Sequence, residues 1–182
     1  MALSSGTKGF YFRKNMVGDA AHPPYAEYII ANSQTLTLGD AVTLSSGYAT
    51  PSSTNGRPVG ICVGFVDNDG LPLHGVVSHA DHDGTVTGDD TYVSSADNQT
   101  DKLIRVVVMA IRTDDLWYND ADASLAQANI GTFYDMNSGS DEIDVATGTT
   151  SGVWQLVEID PDGDSDASKG LFRCAEPFWK VA

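Results

Sequence analysis

The sequence predicts an all-β protein: a β-barrel or β-sandwich body with an extended N-terminal arm and at most one short helix. Three observations carry this reading. Turn residues recur about every 8–12 residues, the spacing of sandwiches and barrels. The segments between them are short, apolar and often alternating, as in "LTLGDAVTLSSG", where Leu36, Leu38, Val42 and Leu44 alternate with polar partners. The acidic residues are 21 Asp against only 4 Glu, and Asp favours turns and caps over helix interiors.

In chain order, the expected strands are Glu27–Ala31, Thr35–Leu38, Ala41–Leu44, Pro58–Val66, Gly75–Ser78, Thr91–Val93, Leu103–Thr113, Gly131–Met136, Gly152–Ile159, Gly170–Ala175 and a last piece, Phe178–Val181. Gly56, Gly60 and Gly64 punctuate the fourth at a spacing that suits close backbone approach or bulges. Leu103–Thr113 carries Arg105 and Arg112 on opposite faces. A long strand charged on both faces is expected at a sheet edge or crossing from core to surface. The one helix candidate is "DADASLAQANIG", two turns at most, with Asp122 or Ser124 as cap and Gly131 after the end.

A chain of 182 residues with 41% hydrophobic residues is one large or two small domains and can bury a core without a metal or disulfide. It has no apolar run long enough to span a bilayer and no signal-peptide pattern in its first 30 residues, so a cytosolic start is expected. Cys62 and Cys174 each lie in an apolar run and are read as buried free thiols, a disulfide between them staying open. The net charge of −15 repels phosphate and argues against nucleic acid as a partner.

That charge is uneven. Before Asp19 the chain has Lys8, Arg13 and Lys14 and no acid, a segment of +3 against −18 for the rest. The segment also carries Phe10, Tyr11 and Phe12. It either packs on its own domain or docks on a neighbouring chain; the second reading makes Lys8, Phe10, Tyr11, Phe12, Arg13 and Lys14 the partner-binding residues, rings as anchors and cations against acidic patches. An internal repeat is also legible. "LGDAVTLSSG" (38–47) resembles "IGTFYDMNSG" (130–139), 92 residues on, and each copy is followed by an apolar strand and an acidic turn. The expected organisation is an arm at 1–18, a first β-unit at 19–100 and a second at 101–182, with one continuous domain over 19–182 as the alternative.

Motifs for chemistry are sparse. "HGVVSHADHDG" offers His74, His79, His82, Asp81 and Asp83 as zinc-type ligands, but without helical His pairing or a glutamate base it reads as a polar loop. "DPDGDSDASKG" alternates Asp160, Asp162, Asp164 and Asp166 like a calcium loop, yet Ser165 and Leu171 stand where an EF-hand needs glycine and a bidentate glutamate. A solvated turn is expected there, with calcium as the alternative. No nucleophile elbow, phosphate loop or dinucleotide fingerprint occurs. A non-enzymatic role without cofactor is therefore expected.

The basic leader, then "GDAV", then "VGICVGF", with "SSADNQTDKLIRVVVMA" and "SLAQANIGTFYDMNSG" later, resembles the capsid decoration (cement) or auxiliary head proteins of tailed bacteriophages. The resemblance implies a virion structural protein on the outside of an icosahedral head, assembled in the host cytoplasm. Its partners would be the major capsid protein and copies of itself, as trimer or dimer, with no nucleic acid and no membrane. No catalytic residue comes with it. The other reading is a calcium- or carbohydrate-binding β-module of the receptor-binding or adhesion kind. It would use the Asp160–Asp166 loop and exposed aromatics such as Trp117, Tyr118 and Trp154, although core packing explains those aromatics at least as well.

Overall fold

The computed structural model describes residues 9–16, 23–54, 56–73, 91–137, 141–146, 152–159, 163 and 167–177, with backbone alone at 85–87. These residues form fourteen strands and two single turns of helix, neither of them α. The all-β class read from the sequence is the class of the molecule. In chain order the strands are β1 (Tyr11–Asn15), β2 (Tyr25–Ile29), β3 (Thr35–Thr37), β4 (Ala41–Ser45), β5 (Tyr48–Pro51), β6 (Gly60–Val66), β7 (Thr85–Thr87), β8 (Thr91–Val93), β9 (Arg105–Ala110), β10 (Asp115–Asp120), β11 (Phe133–Met136), β12 (Ile143–Asp144), β13 (Trp154–Ile159) and β14 (Lys169–Cys174).

The first sheet runs β2-β9-β6-β4-β5. A parallel bridge between Ile30, just past β2, and Ala49 of β5 closes it on itself. Alternation then puts Val42, Ala49, Cys62, Phe65, Val106 and Val108 inside one core. Leu36 and Tyr92 join this core from a small sheet, β3-β8-β7. The β4–β5 hairpin has the sharpest local cause. Ser46 and Gly47 both sit at positive φ (52° and 87°), the two-residue turn whose twist matches the flanking strands. In β6 a bulge between Cys62 and Gly64 throws Val63 out of the alternation. Cys62 and Phe65 can therefore both face inward.

The second sheet runs β1-β10-β14-β13-β11-β12. Without β1, its strand order repeats that of the first sheet. A parallel bridge joins Ala121, just past β10, to Ile143 of β12, matching Ile30–Ala49. The N–H of Asp122 donates to Ile143 O (3.0 Å) as that of Ala31 donates to Ala49 O (2.8 Å). The bulge in β13, between Leu156 and Glu158, matches the one in β6. The 92-residue offset read from the sequence falls on β4 and β11, the second strand of each barrel. Trp117, Trp154, Leu156, Phe172, Met136 and Ile143 fill the second core. Ala41, Ile61 and Met109 of the first barrel belong to the same cluster, so the two barrels pack on each other.

Two expectations need correction. The unit boundary at 100/101 would cut β9 from its partners β2 and β6; strand pairing puts the change between Ala110 and Asp115. The segment read as one strand over Leu103–Thr113 stops at Ala110, and β9 is an interior strand. The chain turns there because Asp115 accepts from the Arg112 backbone N–H (3.0 Å) and from Nη2 (2.9 Å), and "DLWYND" is a separate strand, β10. The helix candidate, expected at two turns at most, is one 3₁₀ turn, Gln127–Asn129, closed by Asn129 Oδ1 accepting the Ala126 N–H (2.6 Å). The expected strands at 75–78 and 178–181 lie outside the described residues.

Candidate partner-binding surface

The N-terminal segment is held by its own chain. β1 is the edge strand of the second sheet, antiparallel to β10, with Tyr11 opposite Tyr118 and Phe12 opposite Trp117. Phe10 is 2% exposed and stacks on Trp154, centroids 4.2 Å apart. Its N–H donates to Gly39 O (2.8 Å) in the first barrel. Phe12 meets Trp117 edge-on at 5.6 Å. Phe10 is therefore an internal stitch between the barrels and is not available as an anchor for a neighbour. Tyr11 and Phe12 are half-buried, while Arg13 and Lys14 are exposed. Lys8 lies outside the described residues.

The other candidates divide the same way. His74, His79, Asp81, His82 and Asp83 lie outside the described residues, as do Asp160, Asp162, Asp164 and Asp166. Among the described residues no group of three metal-type ligands converges. Trp117 and Trp154 are 1% and 0% exposed; both are core residues, the packing reading of these aromatics, and neither is open to stack on a ligand. Cys62 and Cys174 are buried free thiols in different cores, and burial pushes the Cys62 thiol up. No described helix is long and apolar enough to cross a membrane.

What the sequence reading missed is an apolar face on the first barrel. Tyr25 (61% exposed) and Val63 (37%) line an open groove of about 350 Å³, whose floor includes Val107 and Gly64; Leu71 (62% exposed) stands next in sequence to Pro72, which also lines it. Register explains it: Glu27, Val107 and Gly64 lie opposite one another across three strands and share the outer face. Gly64 has no side chain to fill the space, and a Cβ there would come no closer than 3.9 Å to Val107. The bulge supplies Val63 as one wall. Pro72 supplies another, because Asp67 Oδ1 accepts the N–H of Asp69 (2.9 Å) and Leu71 (2.7 Å) and folds the acidic turn back on Val66. The signal was in "GICVGFVDNDGLP": a valine out of step with the glycines, and a Leu-Pro pair stranded after a polar turn. The equivalent of Gly64 in the second barrel is Glu158, beside the bulge in β13, so the face is particular to the first.

Asp40 is the one strongly perturbed carboxyl described. It is 6% exposed at the seam where Phe10 meets Gly39. Burial raises it from 3.8 to about 7, against the Thr37 N–H that it accepts (2.8 Å), with Asp141 adding repulsion. Its carboxyl braces the β3–β4 turn. Compared with known protein families, with curated proteins and with solved structures, the chain matches none.

Proposed function

We propose that the protein is a virion structural protein: a capsid decoration or cement protein that binds the outer surface of an icosahedral head and stabilises it. Its role is binding, without catalysis, and its partners are the major capsid protein and further copies of itself. It reaches the capsid exterior after assembly in the host cytoplasm. The observation that carries the reading is the apolar groove lined by Tyr25, Val63, Val107 and Pro72 on a chain of net charge −15. So acidic a surface stays soluble, and a clustered apolar face upon it marks a contact with another protein. The resemblance of the leader, "GDAV" and "VGICVGF" to decoration proteins supplies the kind of partner. Two barrels sharing one core give a stiff body, suited to spanning a boundary between capsomers.

The test is binding to purified expanded shells, read by co-sedimentation and by the melting temperature of the shell. The native chain is expected to saturate the shells and raise their melting temperature. Tyr25→Asp with Val63→Asp puts charge on the groove lining without touching either core and is expected to abolish both effects. Full occupancy by that double variant, or no binding by the native chain, overturns the proposal. Deleting the leader is a poor test, since it removes Phe10 from the core.

A further inference from the structure

The repeat exposes a difference between the barrels. In the second, the outward edge of β10 is covered by β1. In the first, the equivalent strand is β2, and among the described residues no strand pairs with its outward edge. The bonding parity is fixed at both ends of β2. The Ala110 N–H donates to Pro24 O (2.9 Å) and the Ile30 N–H to Ile104 O (3.0 Å), so even-numbered residues bond to β9. Tyr25, Glu27 and Ile29 therefore turn their N–H and C=O groups away from it. Beyond them the edge ends at the closure, where Ala31 donates to Ala49. On β10 the matching positions Leu116 and Tyr118 face Lys14 and Tyr11 of β1.

We propose that the β2 edge, Tyr25–Ile29, is an acceptor for an extended strand from another protein chain, with the chemistry β1 shows on β10: aromatic residues beside adjacent cations. Two arguments fix the occupant. β1 is a worked case of such a strand on the same edge of the sister barrel. Charge complementarity points the same way: β10 bears Asp115 and Asp120, β2 bears Glu27, the chain is −15, and the strand that β10 holds carries Arg13 and Lys14. Main-chain bonds would supply affinity, and Tyr25, exposed at the end of the edge and part of the groove lining, would take a ring or aliphatic side chain. A second copy is the poorer occupant, because its own β1 is already paired and its acidic body repels.

The test uses the whole protein and a synthetic peptide of residues 9–16, followed by amide hydrogen exchange. The amides of Tyr25, Glu27 and Ile29 are expected to slow about tenfold at saturating peptide, while Ala26 and Tyr28, already bonded to β9, do not change. A peptide carrying Tyr11→Pro and Lys14→Pro lacks the donors that face Tyr118 and Leu116 in β1 and is expected to give no protection, with the protein itself unaltered. Glu27→Pro in the protein, at an N–H that points away from the sheet, is expected to fold and lose the effect. No slowing of the three amides at millimolar peptide, or equal slowing by the proline peptide, overturns the proposal. A peptide-free dimer of the native chain that Glu27→Pro makes monomeric assigns the edge to a second copy and overturns it also. No shell enters this experiment, so its failure leaves the capsid reading standing, and the failure of shell binding leaves this one standing.

Discussion

Two side chains at the seam between the barrels set the residue-scale expectations. Phe10 is buried against Trp154 and tied by its backbone to Gly39. Phe10→Ala leaves a cavity in a shared core and is expected to cost about 3–5 kcal/mol in urea unfolding. Arg13→Ala and Lys14→Ala, on exposed positions of the same strand, should change stability little, within about 0.5 kcal/mol. Equal costs at all three would contradict an internal role for Phe10. Asp40 sets the pH dependence. Its folded-state carboxyl sits near 7 because it is buried, against 3.8 in the open chain. Between those values the native state holds a proton that the unfolded state has lost, so stability falls as pH rises from about 4 to about 7 and levels off above. The ceiling is about 4 kcal/mol from a shift of this size. The melting temperature should drop between pH 5 and pH 8. Asp40→Asn keeps an acceptor for the Thr37 N–H and should flatten that part of the profile; an unchanged slope in the variant removes Asp40 as its source.

At the scale of the element, the glycines of β6 divide by what surrounds them. A Cβ on Gly60 would lie 2.7 Å from Met109 O and 2.8 Å from Val108 Cβ, whereas one on Gly64 meets only Val107 at 3.9 Å. Gly60→Ala is expected to cost about 1–3 kcal/mol by overpacking and Gly64→Ala about nothing, both read from denaturant midpoints at constant m. The pair "GICVG" was legible as a bent, closely approached strand, but not which glycine does which, since that depends on β9 lying opposite. The same limit explains the other gains and losses. Strands with clear alternation and flanking turns, such as Ala41–Leu44 and Thr91–Val93, were read within a residue of their observed bounds. β5 and β10 were not, because "YATP" reads as loop composition and "DLWYND" as an acidic tail until a partner strand is known. Phe10 and Phe12 look alike in sequence as anchors. Only the topology, which carries the N-terminal strand back to β10, shows that one is spent in the core. The groove was unreadable for a related reason: the bulge after Cys62 turns Gly64 outward and Phe65 inward, where strict alternation would do the reverse.

The whole molecule is two barrels of one topology that do not stand apart. Ile61, Met109 and Ala41 point outward from the first barrel into the core of the second, and β1, first in the chain, completes the sheet that the last strands build. Cutting the chain between the barrels would strip β1 from β10 and expose the outer face of β6 and β9. At 182 residues the protein exceeds the size at which two-state unfolding is the default, and two independent barrels would melt in two steps. The shared core predicts one. A single calorimetric transition is expected, with calorimetric and van't Hoff enthalpies equal, and Phe10→Ala should move that transition to lower temperature without splitting it. Because stacked Phe10 lies in the second core while its N–H is bonded to the first barrel, its removal weakens the joint itself. Two resolved transitions in the native chain would show the barrels to be separate cooperative units. The stiffness invoked for a protein that braces a shell would then have no source in this fold.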